Sequence, residues 1–319
     1  MVSQSDLSDY GTFQQRVTAL YMQERYAEAL ELANAAQEHF SENENITYYL
    51  RACLSSMVGQ GDQALALLRT ALDAGYWYPD LFWNDTDFDS IRDRPEFQAL
   101  RERSDRQQDT ARTNARPEMP VELPGGAGPF PALMALHGNM HSAAIDAPNW
   151  RPVLKTGWLL ALPQASEPAG KGMFVWDNRE QSEAELLTHY ARLVEEYPVD
   201  LARVILGGFS MGAETALYLA LKGALPVRGV LAVAPGGPYT RQPELWQPLI
   251  DGARGRGLRI YLIMGGRDVA AAQTRELAEM LRAGGIVCEL EDHAEMGHIF
   301  PPDFRQRVPD LLRWILGEA

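Results

Sequence analysis

The feature of this sequence that most constrains its fold is the segment GFSMG at residues 208–212, which directly follows the apolar run 204–206. A buried strand that ends in Gly-x-Ser-x-Gly and continues as a helix forms a nucleophile elbow, a turn so sharp that both flanking positions require glycine. Residues 213–221 continue the segment with a helical pattern. The pattern therefore predicts a strand, a strained turn that exposes the hydroxyl of Ser210, and a helix whose N-terminus points at that hydroxyl. A tight turn with an unreactive serine is the alternative that the motif alone leaves open.

An acid is expected next along the chain. A serine hydroxyl becomes a good nucleophile only beside a base that is itself oriented by an acid, and after such an elbow the acid precedes the histidine. Asp268 follows the apolar run 258–264 and so lies at the carboxyl end of a predicted strand, at the sheet edge where Ser210 also lies. We predict that Asp268 is the acid. Capping a helix that begins near Val269 is its alternative role, and the two roles are compatible.

The base is predicted from the positions of the six histidines. His298 follows a glycine in the loop after the last predicted strand, 286–290, where a side chain can hang over Ser210. His293 lies closer to that strand and is the second candidate. His137 comes too early in the chain order and is predicted to be structural.

Two backbone N–H groups must stabilise the negative charge that develops on a reacting carbonyl oxygen. Met211, the residue after the nucleophile, is expected to supply one of them. The loop after the predicted strand 131–136 is expected to supply the other, with Asn139 as first choice and Met140 as second. Substrate contacts are predicted for three side chains, with simple loop packing as the alternative: Trp176, Met140 and Phe300.

These segments resemble the α/β-hydrolase superfamily, and most closely the serine esterases of its carboxylesterase/phospholipase-like or dienelactone-hydrolase-like branch. The resemblance spans roughly residues 131–302 and rests on Leu136-His137-Gly138, Leu162-Pro163-Gln164-Ala165, Trp176-Asp177, residues 208–212, Gly266-Arg267-Asp268 and Gly297-His298. It implies hydrolysis of carboxylic esters or thioesters. Unlike many relatives, this chain lacks a second glycine after His137-Gly138. The segment between the strands near Val230 and Leu258 is also too short for a large lid.

The C-terminal part is predicted to have an α/β fold. Beyond residue 130, continuous apolar runs alternate with amphipathic segments, which indicates a doubly wound, mostly parallel sheet covered by helices on both faces. We predict a helical domain over 1–104, a Pro- and Gly-rich linker over 105–129 and the catalytic domain over 130–319.

The first hundred residues show a helical pattern with an internal repeat. Ala29-Leu30-Glu31-Leu32 and Ala36 match Ala64-Leu65-Ala66-Leu67 and Ala71, 35 positions further on (29 to 64, 36 to 71). This spacing resembles tetratricopeptide repeats, which use about 34 residues, and two repeats are too few for independent stability. We therefore expect this all-α region to dock through the aromatic segment 77–83. Capping the active site and binding a protein partner are both open as its role.

Composition restricts the partners. The chain of 319 residues has a net charge of −14, with 43 acidic against 29 basic residues, which argues against nucleic acid or an anionic membrane as a partner. Its two cysteines, Cys53 and Cys288, have no metal-ligand or redox spacing, so we expect no metal and no cofactor. The resemblance to serine esterases implies a small ester as substrate. Residues 1–7 lack the pattern of a signal peptide and no apolar run is long enough to span a membrane, so we expect a cytoplasmic protein.

Overall fold

The fold is described from a computed structural model, which describes residues 7, 10–37, 39–40 and 43–318. The prediction that no signal peptide is present rests on residues 1–7, and residues 1–6 lie outside the described part of the chain. The chain divides into two compact units, Met1–Asn114 with Ala169–Lys171, and Ala115–Pro168 with Gly172–Ala319.

Apart from residues 169–171, the first unit is helical, as predicted. Its helices are α1 (Tyr10–Met22), α2 (Tyr26–Ala36), α3 (Glu44–Met57), α4 (Gly61–Asp73), α5 (Asp80–Trp83) and α6 (Pro95–Asn114). The repeat predicted from the alanines coincides with α2 and α4, and the matching residues Ala29, Ala36, Ala64 and Ala71 are fully buried. Small side chains at these positions allow neighbouring helices to approach closely.

Two features of this unit differ from the prediction. Helix α6 begins at Pro95 and continues to Asn114, ten residues beyond the predicted boundary at 104. Its charged residues form the exposed face of a helix rather than a linker. In the aromatic segment 77–83, three side chains are packed inside the helical unit. Trp77, Tyr78 and Trp83 are buried in the core of the helical unit itself.

The second unit contains a seven-stranded sheet with the α/β organisation that the sequence predicts. Its strands are β1 (Val121–Glu122), β2 (Phe130–Leu136), β3 (Leu159–Ala161), β6 (Val199–Phe209), β7 (Gly229–Val233), β8 (Arg259–Gly265) and β9 (Val287–His293); β4 (Glu167–Gly170) and β5 (Met173–Val175) lie outside this sheet. The strand order is β1-β3-β2-β6-β7-β8-β9, and every neighbouring pair is parallel except β1 with β3.

Helices cover both faces of this sheet. Successive side chains of a strand point to opposite faces, so each strand contributes to the core on either side. In β2, Ala132 and Met134 belong to one core cluster, whereas Leu133 and Ala135 belong to the other. The helices of this unit are α7 (Ala143–Trp150), α8 (Arg179–Glu196), α9 (Met211–Lys222), α10 (Pro238–Arg241), α11 (Gln247–Ala253), α12 (Ala271–Ala283) and α13 (Phe304–Leu316). The first cluster draws on α8, α9, α11 and α12, and the second on α7 and α13.

Helix α9 passes the carboxyl end of β2 at a distance that only glycine allows. A Cβ atom on Gly212 would lie 2.3 Å from the carbonyl oxygen of His137 and 2.6 Å from that of Leu136. Backbone atoms cannot give way as a flexible side chain does, so any side chain at this position must push the helix and the strand apart.

We expect Gly212→Ala to lower the free energy of unfolding by about 1–3 kcal/mol, because the added methyl group overpacks this contact. Gly252→Ala is the matched control, since Gly252 lies in α11 with no atom within 4 Å of an added Cβ. Alanine there should be neutral or should stabilise the helix by up to about 1 kcal/mol. Urea unfolding of the full chain measures both. Equal midpoints for the two variants would contradict the overpacking argument.

Candidate active site

Ser210 occupies the predicted elbow between β6 and α9. Its backbone adopts φ 53° and ψ −123°, a conformation that is strained for a residue with a side chain. The turn is held by its own backbone, since the N–H of Ser210 donates to Val233 O at 3.0 Å and its carbonyl accepts from Glu214 N at 3.1 Å. The flanking glycine is needed here as well, because a Cβ on Gly208 would lie 2.5 Å from the backbone of Gly212.

The structure brings three predicted residues into one hydrogen-bonded chain. His298 Nε2 lies 2.8 Å from Ser210 Oγ, and His298 Nδ1 lies 2.6 Å from Asp268 Oδ2. The other oxygen of Asp268 accepts the N–H of Ala270 at 2.9 Å. Burial alone would raise the pKa of Asp268, but the hydrogen bonds from His298 and Ala270 outweigh it and hold the pKa below its usual value. The carboxylate is therefore ionised and fixes which ring nitrogen of His298 carries the proton.

The structure distinguishes His298 from His293, and the hydrogen bonding of Asp268 from simple helix capping. His293 ends strand β9, where it pairs with Gly265, and its Nε2 lies 2.5 Å from Glu291. It therefore faces another partner than Ser210. Asp268 bonds a backbone N–H as a cap would, but α12 begins at Ala271 with Ala270 as its N-cap residue, later than predicted.

The backbone N–H groups expected to bind an oxyanion are available. In the loop after β2, Gly138 N donates to Asp146 at 2.9 Å and Met140 N donates to Phe174 O at 2.9 Å. Within the described part of the chain, the N–H groups of Asn139 and Met211 have no such acceptor. The geometry thus favours Asn139 over Met140 as the second donor.

His137 has the structural position that the sequence indicates. Its Nδ1 donates to Gly138 O at 2.8 Å, and its Nε2 accepts from Ala165 N at 3.1 Å and Gln164 Nε2 at 3.0 Å. Desolvation by burial lowers the pKa of His137 to about 4. The ring therefore stays neutral near pH 7 and ties the end of β2 to the residues after β3.

Asp146 fixes the other side of the same loop. This buried carboxylate accepts the N–H of Gly138 on one oxygen and faces His141 Nδ1 at 2.8 Å on the other. The hydrogen bond to Asp146 raises the pKa of His141 above its usual value. The His141 ring stacks on Phe209, the residue before the nucleophile, with centroids 5.7 Å apart.

Glu214 connects α9 to the loop after β7. It is fully buried and pairs with Arg179 at 2.8 Å, and its carboxylate accepts the backbone N–H groups of Tyr239 and Thr240 at 3.1 and 2.7 Å. The Arg179 guanidinium lies over the rings of Tyr218 and Tyr239. Glu214 is thus an anchor for the site and not a second catalytic acid.

Ser210, Asp268 and His298 line a cleft of roughly 710 Å³, a volume typical of small-molecule sites. Its lining residues are Asn139, Asp177, Ser210, Met211, Gly236, Gly237, Pro238, Arg241, Asp268, Val269, Ala270, Gln273 and His298.

None of the three side chains predicted to contact substrate is among these lining residues. Trp176 is 1% exposed and donates its indole N–H to His137 O at 2.9 Å, which satisfies a buried carbonyl of the loop after β2. Phe300 stacks on Phe209 with centroids 4.5 Å apart and belongs to the core around it. Met140 is exposed and has a backbone φ of 62°.

Sequence reasoning missed most of the cleft wall. Gly236, Arg241 and Gln273 follow strands β7 and β8, and the signal available for them was this position at the carboxyl edge of the sheet. Ala234 shows backbone strain that no sequence pattern indicated, with a φ of 46° at the end of β7. Strained residues of this kind cluster at functional sites.

The sheet order, the elbow and the helices on both faces define an α/β-hydrolase. Residues 177–315 match the family described as Phospholipase/Carboxylesterase, and residues 9–112 match the family described as A/B hydrolase-like, N-terminal domain. Residues 177–315 are therefore a phospholipase/carboxylesterase domain with the α/β-hydrolase fold, preceded by an A/B hydrolase-like N-terminal domain, and the chain is a carboxylic ester hydrolase. No curated protein matches the sequence.

Solved structures agree on the fold. An uncharacterized protein from Bacillus cereus is similar with a TM-score of 0.56 and 24% identity over 97% of this chain and 99% of that chain. Esterase PE8 is similar with a TM-score of 0.52 and 20% identity over 63% of this chain and 99% of that chain. Est1E from Butyrivibrio proteoclasticus, with ferulic acid bound, gives a TM-score of 0.50 and 9% identity over 64% and 95% of the two chains. At these identities the similarity establishes the fold alone.

Among the described helices, none combines the length and the apolar character that crossing a membrane requires.

We expect Asp268→Asn to lower kcat by about 10⁴-fold, by analogy with the same change in another serine hydrolase, because an amide beside Nδ1 favours the wrong imidazole tautomer. Steady-state ester hydrolysis measures this. Asp251→Asn is the matched control, since Asp251 is an exposed residue of α11 that accepts from the side chains of Gln247 and Arg254. Equal rates for the two variants would show that Asp268 does not orient the base.

We expect the stabilising effect of His141 to depend on pH. Its folded-state pKa is raised above the ordinary value of 6.5, so the stability from the His141–Asp146 pair is fully present below that value and is lost as the pH rises through the folded-state pKa. His141→Phe keeps an aromatic ring beside Phe209 but removes the ring nitrogens. The loss of unfolding free energy in this variant should be larger at pH 6 than at pH 9 in urea titrations. A loss that is constant or grows with pH would refute the assignment.

Proposed function

We propose that the C-terminal unit hydrolyses carboxylic esters through an acyl-enzyme on Ser210. The observation that carries the proposal is the unbroken hydrogen-bonded chain from Ser210 Oγ through His298 to Asp268 at the floor of an open cleft. Hydroxyl, imidazole and carboxylate in this order form the constellation that activates a serine for acyl transfer.

In the first half of the reaction, Ser210 Oγ attacks the ester carbonyl while His298 Nε2 takes the hydroxyl proton. Asp268 stabilises the imidazolium that forms and keeps its proton on Nδ1. The N–H groups of Met211 and Asn139 bind the oxyanion of the tetrahedral intermediate. As this intermediate collapses, the bond to the alcohol oxygen breaks and His298 returns the proton to the leaving alcohol.

In the second half, His298 takes a proton from a water molecule, which attacks the acyl-enzyme carbonyl. Collapse of the second tetrahedral intermediate releases the carboxylic acid and returns the proton to Ser210 Oγ. No step of this proposed mechanism requires a metal or cofactor.

Short-acyl or otherwise small esters fit the cleft best. The wall after β7 is tied to α9 through Glu214, and no long insertion separates β7 from β8. The lining also combines polar side chains such as Asn139 and Gln273 with few large apolar ones. Such a wall offers little apolar surface for a long alkyl chain.

We expect Ser210→Ala to lower kcat on p-nitrophenyl acetate by about 10⁶-fold, by analogy with another serine hydrolase, because the nucleophile is removed. A series from acetate to long acyl chains, assayed in parallel, should show a maximum at short chains. Ser90→Ala, at an exposed serine of the helical unit, controls for the substitution itself.

Ester turnover that persists in Ser210→Ala would refute the mechanism. Serine-dependent turnover that peaks at long chains would refute the preference for small acyl groups while leaving the mechanism intact. Turnover of thioesters, amides or lactones in place of esters would keep the nucleophile and change the substrate class.

A further inference from the structure

Arg241 lies on the wall of the cleft with an unused positive charge. It ends helix α10, its side chain is exposed and it lines the same cleft as Ser210. Over the described residues, no carboxylate pairs with its guanidinium and no carbonyl accepts from it.

Three other arginines of the same unit are paired with carboxylates. Arg179 is bonded to the buried Glu214, Arg275 to Asp292, and Arg307 to Glu291. A cation that is left without a partner beside a nucleophile is available to a ligand. Arginine is also the side chain best suited to bind a carboxylate or phosphate, because its planar guanidinium presents two parallel N–H donors.

The backbone that carries Arg241 is held in place before any ligand arrives. Glu214 accepts the N–H groups of Tyr239 and Thr240, and Arg241 N donates to Gly237 O at 3.1 Å. The carboxylate of Glu214 belongs to α9, the helix that begins directly after Ser210. The nucleophile and the start of the Arg241 side chain are therefore fixed to the same helix.

The acidic groups of the cleft are engaged elsewhere. Asp268 bonds His298 and Ala270, and Asp177 accepts from the side-chain amide of Asn139 at 2.6 Å. Both carboxylates therefore have hydrogen-bond partners that offset part of their charge locally, whereas Arg241 has none.

We propose that Arg241 forms an anion subsite, so that the preferred substrates are esters that carry a carboxylate or phosphate on the acyl or the alcohol part. The proposal rests on the ester hydrolysis proposed above and narrows its substrate class. Arg241 binds the anionic group and thereby positions the ester carbonyl over Ser210. The reaction itself is unchanged.

Two pairs of substrates test this and locate the anion. On the acyl side, p-nitrophenyl hemisuccinate is compared with p-nitrophenyl butyrate, in which a methyl group replaces the carboxylate. On the alcohol side, 4-acetoxybenzoate is compared with phenyl acetate. For each pair, the ratio of kcat/KM on the anionic ester to kcat/KM on the neutral ester is measured for wild type, Arg241→Gln, Arg241→Lys and Arg254→Gln.

We expect this ratio to fall at least about tenfold in Arg241→Gln for one of the two pairs, mainly through KM. Arg241→Lys should retain part of the preference, since it keeps the charge and loses the paired donors. Arg254→Gln changes the net charge equally at an exposed position outside the cleft lining and should leave the ratio unchanged. High salt should reduce the wild-type ratio, because the charge is exposed.

The subsite is refuted if Arg241→Gln changes both ratios by no more than Arg254→Gln does. Calorimetric titration of glutarate, which has no ester bond, into wild type and Arg241→Gln separates this from failure of the proposed reaction. Weaker glutarate binding in Arg241→Gln supports the subsite even if ester turnover survives Ser210→Ala. Equal binding, together with unchanged ratios, rejects the subsite while leaving a serine-dependent esterase in place.

Discussion

The site depends on the close approach of α9 to the carboxyl end of β2. Gly212 lets the first turn of the helix lie against the carbonyls of Leu136 and His137, so that the N–H of Met211 and the loop containing Asn139 lie near one another. Ser210 occupies its strained conformation because both the strand before it and the helix after it are held rigidly. Without this contact, the nucleophile and the two donors would belong to independent elements.

Buried polar side chains around this contact turn a flexible loop into a fixed one. His137 bonds forward to the residues after β3, Asp146 holds Gly138, and Trp176 caps the carbonyl of His137. Each group is nearly fully buried and each has its hydrogen bonds satisfied, which is the condition under which a buried polar network rigidifies a structure. The loop after β2 therefore needs no second glycine to keep its shape.

The sequence predicts the frame of the second unit well, since continuous apolar runs such as 258–264 can only be buried strands of a covered sheet. It also predicts Ser210, Asp268 and His298, because the order of strand ends along the chain fixes which polar residues meet at one edge. It fails where a role is set by a partner far away in the chain. Trp176 was predicted to contact substrate, but its indole N–H donates to His137 O, a bond that the sequence does not indicate. Residues 105–114 were predicted to be a linker, but they continue α6 with their charges on its exposed face. Whether the helical unit binds a partner or caps the site stays a prediction.

The bond between Glu214 and the backbone of residues 239–240 has a consequence for how such an enzyme diversifies. A wall carried by a mobile lid can change its selectivity by changing its motion, but this wall is attached to the helix that presents the nucleophile. New selectivity must therefore come from exchanging side chains on an unchanged backbone. Differences in substrate preference between related enzymes would then lie at a few side-chain positions of α10 and α12.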